Sequence, residues 1–302
     1  MKFAVTGGFG FIGSNIVKLL IQKGHDVEII DKQVSKKKTV FEKFQEKVNF
    51  NQTDICDPES LRPILNDVDG IFHQAALTSV PESYKKPELY HNVNVIGTKN
   101  IFEIAQENNL KVVYASSSSV YGNTEKIPIK ENSNRNPINP YGKTKLEDEF
   151  LAEKFSNNNT RIIGLRYFNV FGKGQTGDYA GVITKFLECI NQKKPLKIFG
   201  KGDQIRDFIH VNDVAKANIV AMQSKIDQGF FNIGTGKTVS IKQLAELMIE
   251  ISGYTQGIDY LDALEGDVRA SQADMTLTKE LLNWNYSIEL KDGLSELIKT
   301  SC

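Results

Sequence analysis

The 302-residue chain is short of cysteine and shows no excess of either charge. Cys56, Cys189 and Cys302 are odd in number, scattered and without the paired spacing of a zinc site, which fits a reducing compartment with no disulfide framework. His25, His73, His91 and His210 are equally dispersed, so no metal site is expected. Basic and acidic residues balance at 37 each, which leaves no basic field to gather nucleic acid. No apolar run approaches the roughly 18 residues of a membrane span. Met1-Lys2 leads straight into an apolar segment, so neither a membrane partner nor a signal peptide is expected, and the expected location is cytoplasmic. Internal repeats and low-complexity tracts are absent. A chain of this length buries a large core and is expected to divide into one big and one smaller lobe.

The most informative stretch runs from Lys2 to Leu20. Lys2-Phe3-Ala4-Val5-Thr6 reads as a buried strand, Gly7-Gly8-Phe9-Gly10-Phe11-Ile12-Gly13 as a glycine turn, and Ser14 to Leu20 as a helix with apolar residues at helical spacing. Strand, glycine turn and helix is the layout of a dinucleotide-binding βαβ unit. Gly7 lets the chain leave the strand sharply, Gly10 removes the side chain that would block a pyrophosphate, and Gly13 lets helix and strand pack closely. The helix N-terminus then offers free N–H groups to phosphate. A second strand, Val27-Glu28-Ile29-Ile30, ends in Asp31, near the spacing expected for the acid that binds the adenosine ribose. A carboxylate there repels a 2′-phosphate, so NAD is expected over NADP. Lys32, Lys36, Lys37 and Lys38 read as a solvated loop.

Strands and helices alternate through the first half, the pattern of a doubly wound parallel α/β sheet. Val48-Asn49-Phe50 is a third strand leading to Asp54-Ile55. Pro58 opens a helix to about Asn66, and Gly70-Ile71-Phe72-His73 is a fourth strand followed by Gln74-Ala75-Ala76, small enough for close approach of a cofactor. One helix is expected from Pro87 to Asn108 with Asn94 and Gly97 inside it. The glycine costs about 1 kcal/mol against alanine, which implies close packing there. Lys111 to Ala115 is a fifth strand running into Ser116-Ser117-Ser118-Ser119-Val120-Tyr121-Gly122, hydroxyls at a carboxyl strand end where open α/β sheets hold ligands. Pro137 and Pro140 set up a helix from Tyr141, and Arg161 to Arg166 is a sixth strand ending in Tyr167-Phe168-Asn169. Beyond it the alternation loosens: helix Ala180 to Gln192, strand Leu196 to Phe199, helix Val211 to Gln223, strand Phe230 to Ile233, then amphipathic pieces at 241–251, 277–282 and 290–298.

Tyr141-Gly142-Lys143-Thr144-Lys145 puts Tyr141 and Lys145 on one face of that helix. Lowering a phenol from near 10 to near neutrality takes about 4 kcal/mol, which a nearby ammonium and a nicotinamide cation favour. Tyr141 could then serve as general base toward a substrate hydroxyl.

With these residues in order, the chain resembles the extended short-chain dehydrogenases/reductases of the NAD-dependent sugar-nucleotide epimerase/dehydratase family over essentially its whole length. The glycine loop, Asp31, Asp54-Ile55, Ala75-Ala76, the serine run and Tyr141/Lys145 fall in family order. The resemblance implies a Rossmann fold with an interleaved α/β substrate lobe: 1–168 plus 210–236 for NAD, and 169–209 plus 237–302 for the nucleotide sugar. It implies Ser117 as the catalytic hydroxyl, Tyr141 as base, Lys145 at the nicotinamide ribose and Ser118 as a helper. Phe11, Ile12, Lys32, Asn94 and Tyr167 join the expected cofactor contacts, and Thr78 the substrate contacts. Asn169 is expected at the diphosphate, Lys197 and Phe199 around the base, and Arg206 on phosphate, where a bidentate guanidinium suits a diphosphate. Asp267 is expected at a ribose hydroxyl. Leucine occupies 264 where the family usually carries arginine, so either Arg269 takes over or fewer cations hold the diphosphate. A homodimer through helices near 87–108 and 140–157 is also implied.

Within that family, dehydratases carry Asp-Glu directly after the catalytic hydroxyl, and sugar-acid decarboxylases a glutamate at the position of Ser119; this chain has Ser118-Ser119. The expected reaction is therefore 4-epimerisation of a UDP-sugar. Ser271, small where a bulky aromatic would exclude an N-acetyl group, implies UDP-GlcNAc/UDP-GalNAc as well as UDP-Glc/UDP-Gal. A UDP-glucuronate epimerase, a dehydratase or a reductase remain alternatives, as does a non-catalytic NAD-binding scaffold.

Overall fold

The computed structural model of the protein describes residues 1–33, 41, 46–124, 126–175, 181–263 and 268–301. Leu264 and Asp267 and the lysines at 36, 37 and 38 lie outside them. In chain order the strands are β1 (Lys2–Thr6), β2 (Asp26–Asp31), β3 (Val48–Gln52), β4 (Gly70–His73), β5 (Lys111–Ser117), β6 (Ile162–Tyr167), β7 (Asn169–Phe171), β8 (Leu196–Phe199), β9 (Ile205–Arg206), β10 (Phe208–His210), β11 (Gln228–Ile233), β12 (Val239–Ser240), β13 (Ile258–Leu261) and β14 (Ala270–Ser271).

β1 to β6 and β11 build one parallel sheet in the order β11-β6-β5-β4-β1-β2-β3. The chain winds one way from β1 through β2 to β3, then crosses to β4 on the other side of β1, so the connections that leave the carboxyl ends of the paired strands β1 and β4 part in opposite directions. That parting is where open α/β sheets bind ligands. Central strands are buried on both faces and therefore read as near-continuous apolar runs: Phe3, Ala4 and Val5, or Ile71 and Phe72. Among the buried polar exceptions is Glu28 on β2, held by Lys2 and by the amides of Asn49 and Asn51.

One face of the sheet packs on helices Phe11–Gln22 and Val211–Gln223 through Ile16, Val17, Leu20, Val214 and Ala217. The other packs on Pro58–Leu65, Gly97–Glu107 and Pro140–Ser156 through Leu61, Leu65, Ile101, Ile104 and Ala152. A separate cluster, including Phe171, Phe186, Ile198, Leu244 and Leu294, joins helices Val182–Asn191, Ile241–Ser252 and Leu290–Ser301 to β8 and β10. Helix starts follow their caps: Asp57 accepts from the Ser60 amide ahead of Pro58, and Asn139 from the Gly142 amide ahead of Pro140.

The structure departs from the sequence expectations in three places. The single helix expected over 87–108 is Pro87–Tyr90, a π-helical turn His91–Ile96, and Gly97–Glu107. The wider turn lets Asn94 reach back to the loop after β4, the kind of local purpose π-turns serve. A short helix at Val80–Lys85, capped by Ser79, was not expected. β7, β9, β10, β12, β13 and β14 were also not expected; with two to four residues each, they are too short to express a period.

Candidate active site

The turn after β1 is built to leave backbone exposed to an anion. Gly7 has φ +63°, and a Cβ on it would stand 2.8 Å from the backbone of Ala75. A Cβ on Gly13 would meet the Gly7 carbonyl at 2.2 Å, so nothing larger than glycine lets the helix start so close to the turn. The helix that follows is preceded by Gly10, has no side-chain cap and carries no acid in its first turn, so its leading N–H groups at Phe11 and Ile12 face no competing carboxylate. Asp31 closes the far side: Oδ2 accepts from the Phe9 amide at 3.0 Å and Oδ1 from the Gln33 amide at 3.1 Å. These two bonds fix the rotamer, and a carboxylate, with about four acceptor sites, can receive a ribose hydroxyl besides. Lys32 next to it pairs with Asp54 at 2.6 Å, which commits the first lysine of the basic loop to a protein carboxylate.

The opposite wall comes from the end of β4. Gln74 and Ala75 donate their backbone N–H groups to Thr6 Oγ1, and the Gln74 side chain joins Tyr167 and Asn218 in one network with contacts of 2.8–3.1 Å. Burial pushes the Tyr167 phenol pKa well up, so it sits there as a neutral donor. Asn94 holds the next part of this loop: its Oδ1 accepts from the Leu77 amide, and its Nδ2 donates to the Leu77 carbonyl and to Thr144 Oγ1. Both of its polar atoms are thus engaged within the protein, while Ala76 and Thr78 lie on the loop it tethers and Thr78 is exposed. Ile55 is buried with its side chain against the place where Gly97 has no Cβ; a methyl there would stand 2.5 Å from it, which explains the glycine in that helix.

Ser117 ends β5 beside Tyr167 at the end of β6. Its Oγ accepts from the Ser119 amide and lies 3.1 Å from Ser119 Oγ, so the serine turn is closed by hydroxyls. Ser118 opens the short 3₁₀ turn Ser118–Tyr121. Ser116 points the other way and donates to Glu149 at 2.7 Å. Helix Pro140–Ser156 begins against this turn, since a Cβ on Gly142 would stand 2.9 Å from the Ser119 carbonyl. Tyr141 is half-buried, and its amide donates to Ser83 Oγ. Lys145, one helical turn on, is only 3% exposed, with Nζ 3.0 Å from Asp148.

The other expected residues fall into two groups. Register pairs Ser271 of β14 with Arg206 of β9, and Asn169 donates through both its backbone and side-chain nitrogens to the carbonyl of Asp207. Asn169, Arg206 and Ser271 are therefore neighbours around Asp207, whose buried carboxylate collects the amides of Thr235, Gly236 and Ala273 and the Thr235 hydroxyl. Lys197 and Phe199 are exposed on a separate two-stranded sheet of β8 and β13, joined to this group through Gln204, which donates to the Phe199 carbonyl. Arg269 is exposed just before β14, and Asp267 is outside the described residues.

Several site-lining residues escaped sequence reasoning. Asp148 is fully buried beside Lys145, Glu149 binds Ser116 and two arginines, and Thr6, His73 and Thr98 form a polar column behind the nucleotide turn. Only Asp148 offered a signal, since a carboxylate three residues after Lys145 faces it across a helical turn. Charged residues in helices otherwise read as solvated.

A parallel sheet with its switch point at a glycine turn, an acid at the end of the next strand and a Tyr–Lys pair beside a hydroxyl turn defines a Rossmann-type dinucleotide-binding enzyme fold. The model of the NAD dependent epimerase/dehydratase family matches residues 3–234, and the chain belongs to that family. NAD is its cofactor, and the exposed amides, glycine cradle and Asp31 fit it. A UDP-glucuronate 4-epimerase of Thermodesulfobacterium geofontis is 31% identical over 99% of this chain and 95% of its own length. The crystal structure of UDP-glucose 4-epimerase from Thermotoga maritima with UDP-glucose superposes with a TM-score of 0.93 at 34% identity, covering 99% and 98% of the two chains. UDP-N-acetylglucosamine 4-epimerase of Methanobrevibacter ruminantium, in complex with UDP-N-acetylmuramic acid, superposes with a TM-score of 0.94 at 36% identity, covering 99% and 97%.

Proposed function

We propose that this protein is a UDP-sugar 4-epimerase acting on UDP-Glc/UDP-Gal and on the N-acetyl pair, with Ser117, Tyr141 and Lys145 as its reacting side chains. The observation that carries this reading is the hydroxyl-only turn after β5. Ser117 and Ser119 satisfy each other there at 3.1 Å, where family dehydratases, which must move a second proton to eliminate water, and family decarboxylases carry a carboxylate. Inversion at C4 needs only one base. Tyr141 takes the proton from O4 and returns it, and Lys145 favours the phenolate. Ser117 donates to the developing oxyanion and holds O4 in line with Tyr141. Bound NAD supplies the acceptor for the C4 hydride and then the donor to the opposite face of the 4-keto sugar.

Phe11, Ile12 and Gly13 hold the pyrophosphate in this reading, and Asp31 the adenosine ribose. In the same reading Asn169 and Arg206 grip the sugar diphosphate with Arg269 as a further cation, Asp267 takes a ribose hydroxyl, and Lys197 and Phe199 frame the base. Ser271, 7% exposed beside Arg206, leaves room next to the C2 substituent. The cofactor lobe of 1–168 plus 210–236 and the substrate lobe of 169–209 plus 237–302 belong to the same proposal, as does cytoplasmic location. A homodimer is supported by Tyr84, Leu89, Ile96 and Phe150, large apolar side chains left exposed on helices Val80–Lys85, Pro87–Tyr90 and Pro140–Ser156 and on the π-turn.

The test is incubation with UDP-Glc, UDP-GlcNAc and UDP-GlcA separately, followed by chromatography. Interconversion of the first two pairs without mass change is expected, with Tyr141→Phe inactive yet still binding NAD. Conversion of UDP-GlcA alone would reassign the substrate to that of the T. geofontis relative. Loss of water or CO₂, or no conversion at all, would overturn the proposal.

A further inference from the structure

The Lys145 ammonium is held by an anion that the catalytic scheme above does not use. Asp148 Oδ2 lies 3.0 Å from Nζ, Asp148 is fully buried, and its Oδ1 makes no hydrogen bond. Thr98, on helix Gly97–Glu107, stands beside this carboxylate and favours its ionised form. Behind Thr98 runs a column of buried polar side chains: His73 contacts Thr98 Oγ1 at 2.9 Å and Thr6 Oγ1 at 2.7 Å.

Proton directions in the column follow from its donors. Thr6 Oγ1 already accepts the amides of Gln74 and Ala75, so its own proton goes to His73 Nδ1. His73 therefore carries its proton on Nε2 and gives it to Thr98. Burial and the nearby Lys145 ammonium hold His73 neutral, with its pKa pushed down to about 3. The column is thus uncharged until it reaches Asp148. The groups facing that carboxylate are Lys145 and Glu147 from its own helix, Thr98 from the helix alongside, and the unpartnered Tyr114 hydroxyl from β5.

Resting on the reading of Tyr141 and Lys145 given above, we propose that Asp148 is a positioning residue: it anchors the Lys145 ammonium and sets, through it, the proton affinity of Tyr141. A buried helical ion pair one turn from the base does two things. It fixes where the cation sits, and its negative end cancels part of the field that the cation exerts on the phenol. Removing the anion lowers the proton affinity of Tyr141 and of Lys145, because the phenolate is relieved of a repulsion and the ammonium loses an attraction.

The test is the pH profile of kcat/KM for UDP-hexose interconversion by the NAD-loaded holoenzyme and by Asp148→Asn, with thermal unfolding followed on the same samples. Both limbs of the profile are expected to move to lower pH, on the order of one unit, with KM within about threefold of the parent. Thr98→Val removes only the hydroxyl behind the carboxylate and is expected to move the acid limb in the same sense by less; it decides the matter should Asp148→Asn fail to fold. Limbs that stay in place while activity falls only with the folded fraction would make Asp148 a packing residue and overturn the proposal. Tyr141→Phe and Lys145→Ala separate the two levels of inference. If either retains turnover, the reading of the site fails; if both are inactive and the Asp148→Asn limbs are unmoved, only the role of Asp148 falls.

Discussion

Replacing Glu149 with glutamine removes the anion shared by two guanidinium groups and a hydroxyl directly beneath the serine turn. Glu149 is fully buried. It accepts from Arg166 Nε at 2.7 Å and the terminal Nη2 at 2.8 Å, from Arg135 at 3.0 Å and from Ser116 at 2.7 Å. Arg166 is 2% exposed and also binds the Tyr121 hydroxyl and the Glu131 carbonyl, so it cannot turn to solvent when its partner is neutralised. Breaking a buried pair from one side costs about 3–5 kcal/mol, because an uncompensated charge stays behind. An unfolding entropy of roughly 2.1 cal/mol/K per residue over this chain gives about 0.6 kcal/mol per degree. Glu149→Gln should therefore lower the melting temperature by about 5–8 °C. Arg135→Ala provides the internal contrast. Its side chain is 24% exposed and shared with the more open Glu153, so a loss of about 1 kcal/mol and a shift of about 2 °C are expected. Differential scanning calorimetry reads both. A Glu149→Gln shift no larger than that of Arg135→Ala would refute the reasoning, since Glu149 would then not be compensating a trapped charge.

Gly13→Ala places a methyl 2.2 Å from the Gly7 carbonyl, so the protein should lose NAD binding by fluorescence titration even where it remains folded. Asp207→Asn should destabilise by about 1–3 kcal/mol in chemical denaturation, because an amide NH₂ must then face backbone N–H donors that now find a carboxylate oxygen. Acid stability should bear two opposed contributions. His73 has a native pKa of about 3 against about 6.5 unfolded, so the unfolded chain binds the extra proton and stability is lost as pH falls from 6.5 towards 3. The Asp148 carboxyl, pushed up to about 6 by burial, binds its proton first in the native state, so stability is gained as pH falls from 6 towards 4. Asp148→Asn should accordingly steepen the loss of stability below pH 6, measured by urea unfolding at successive pH values; an unchanged slope would sink this account.

What the residues declared on their own was local. Glycines at 7, 10 and 13 between an apolar strand and an amphipathic helix, Asp31 at the end of the next strand, and Tyr141 four before Lys145 are patterns in which the interacting atoms lie within a turn or a βαβ unit, so spacing alone predicts the contact. The parallel sheet was legible for the same reason, since doubly buried strands are continuous apolar runs. Gly97 was legible as a close approach, but its neighbour Ile55 was not.

Tertiary structure alone decided the rest. Thr6 and His73 are 67 positions apart and His73 and Thr98 a further 25, and each taken singly is an ordinary strand or helix residue. Arg206 and Ser271 meet through a two-residue pairing too short to leave a period. The π-turn that frees Asn94 to clamp Leu77 has no signature in a segment that otherwise reads as one helix. Local pattern reports what a residue can do within its own element. Which buried charge it must answer to depends on the elements folded against it, and that is fixed only when the sheet and its two layers of helices close.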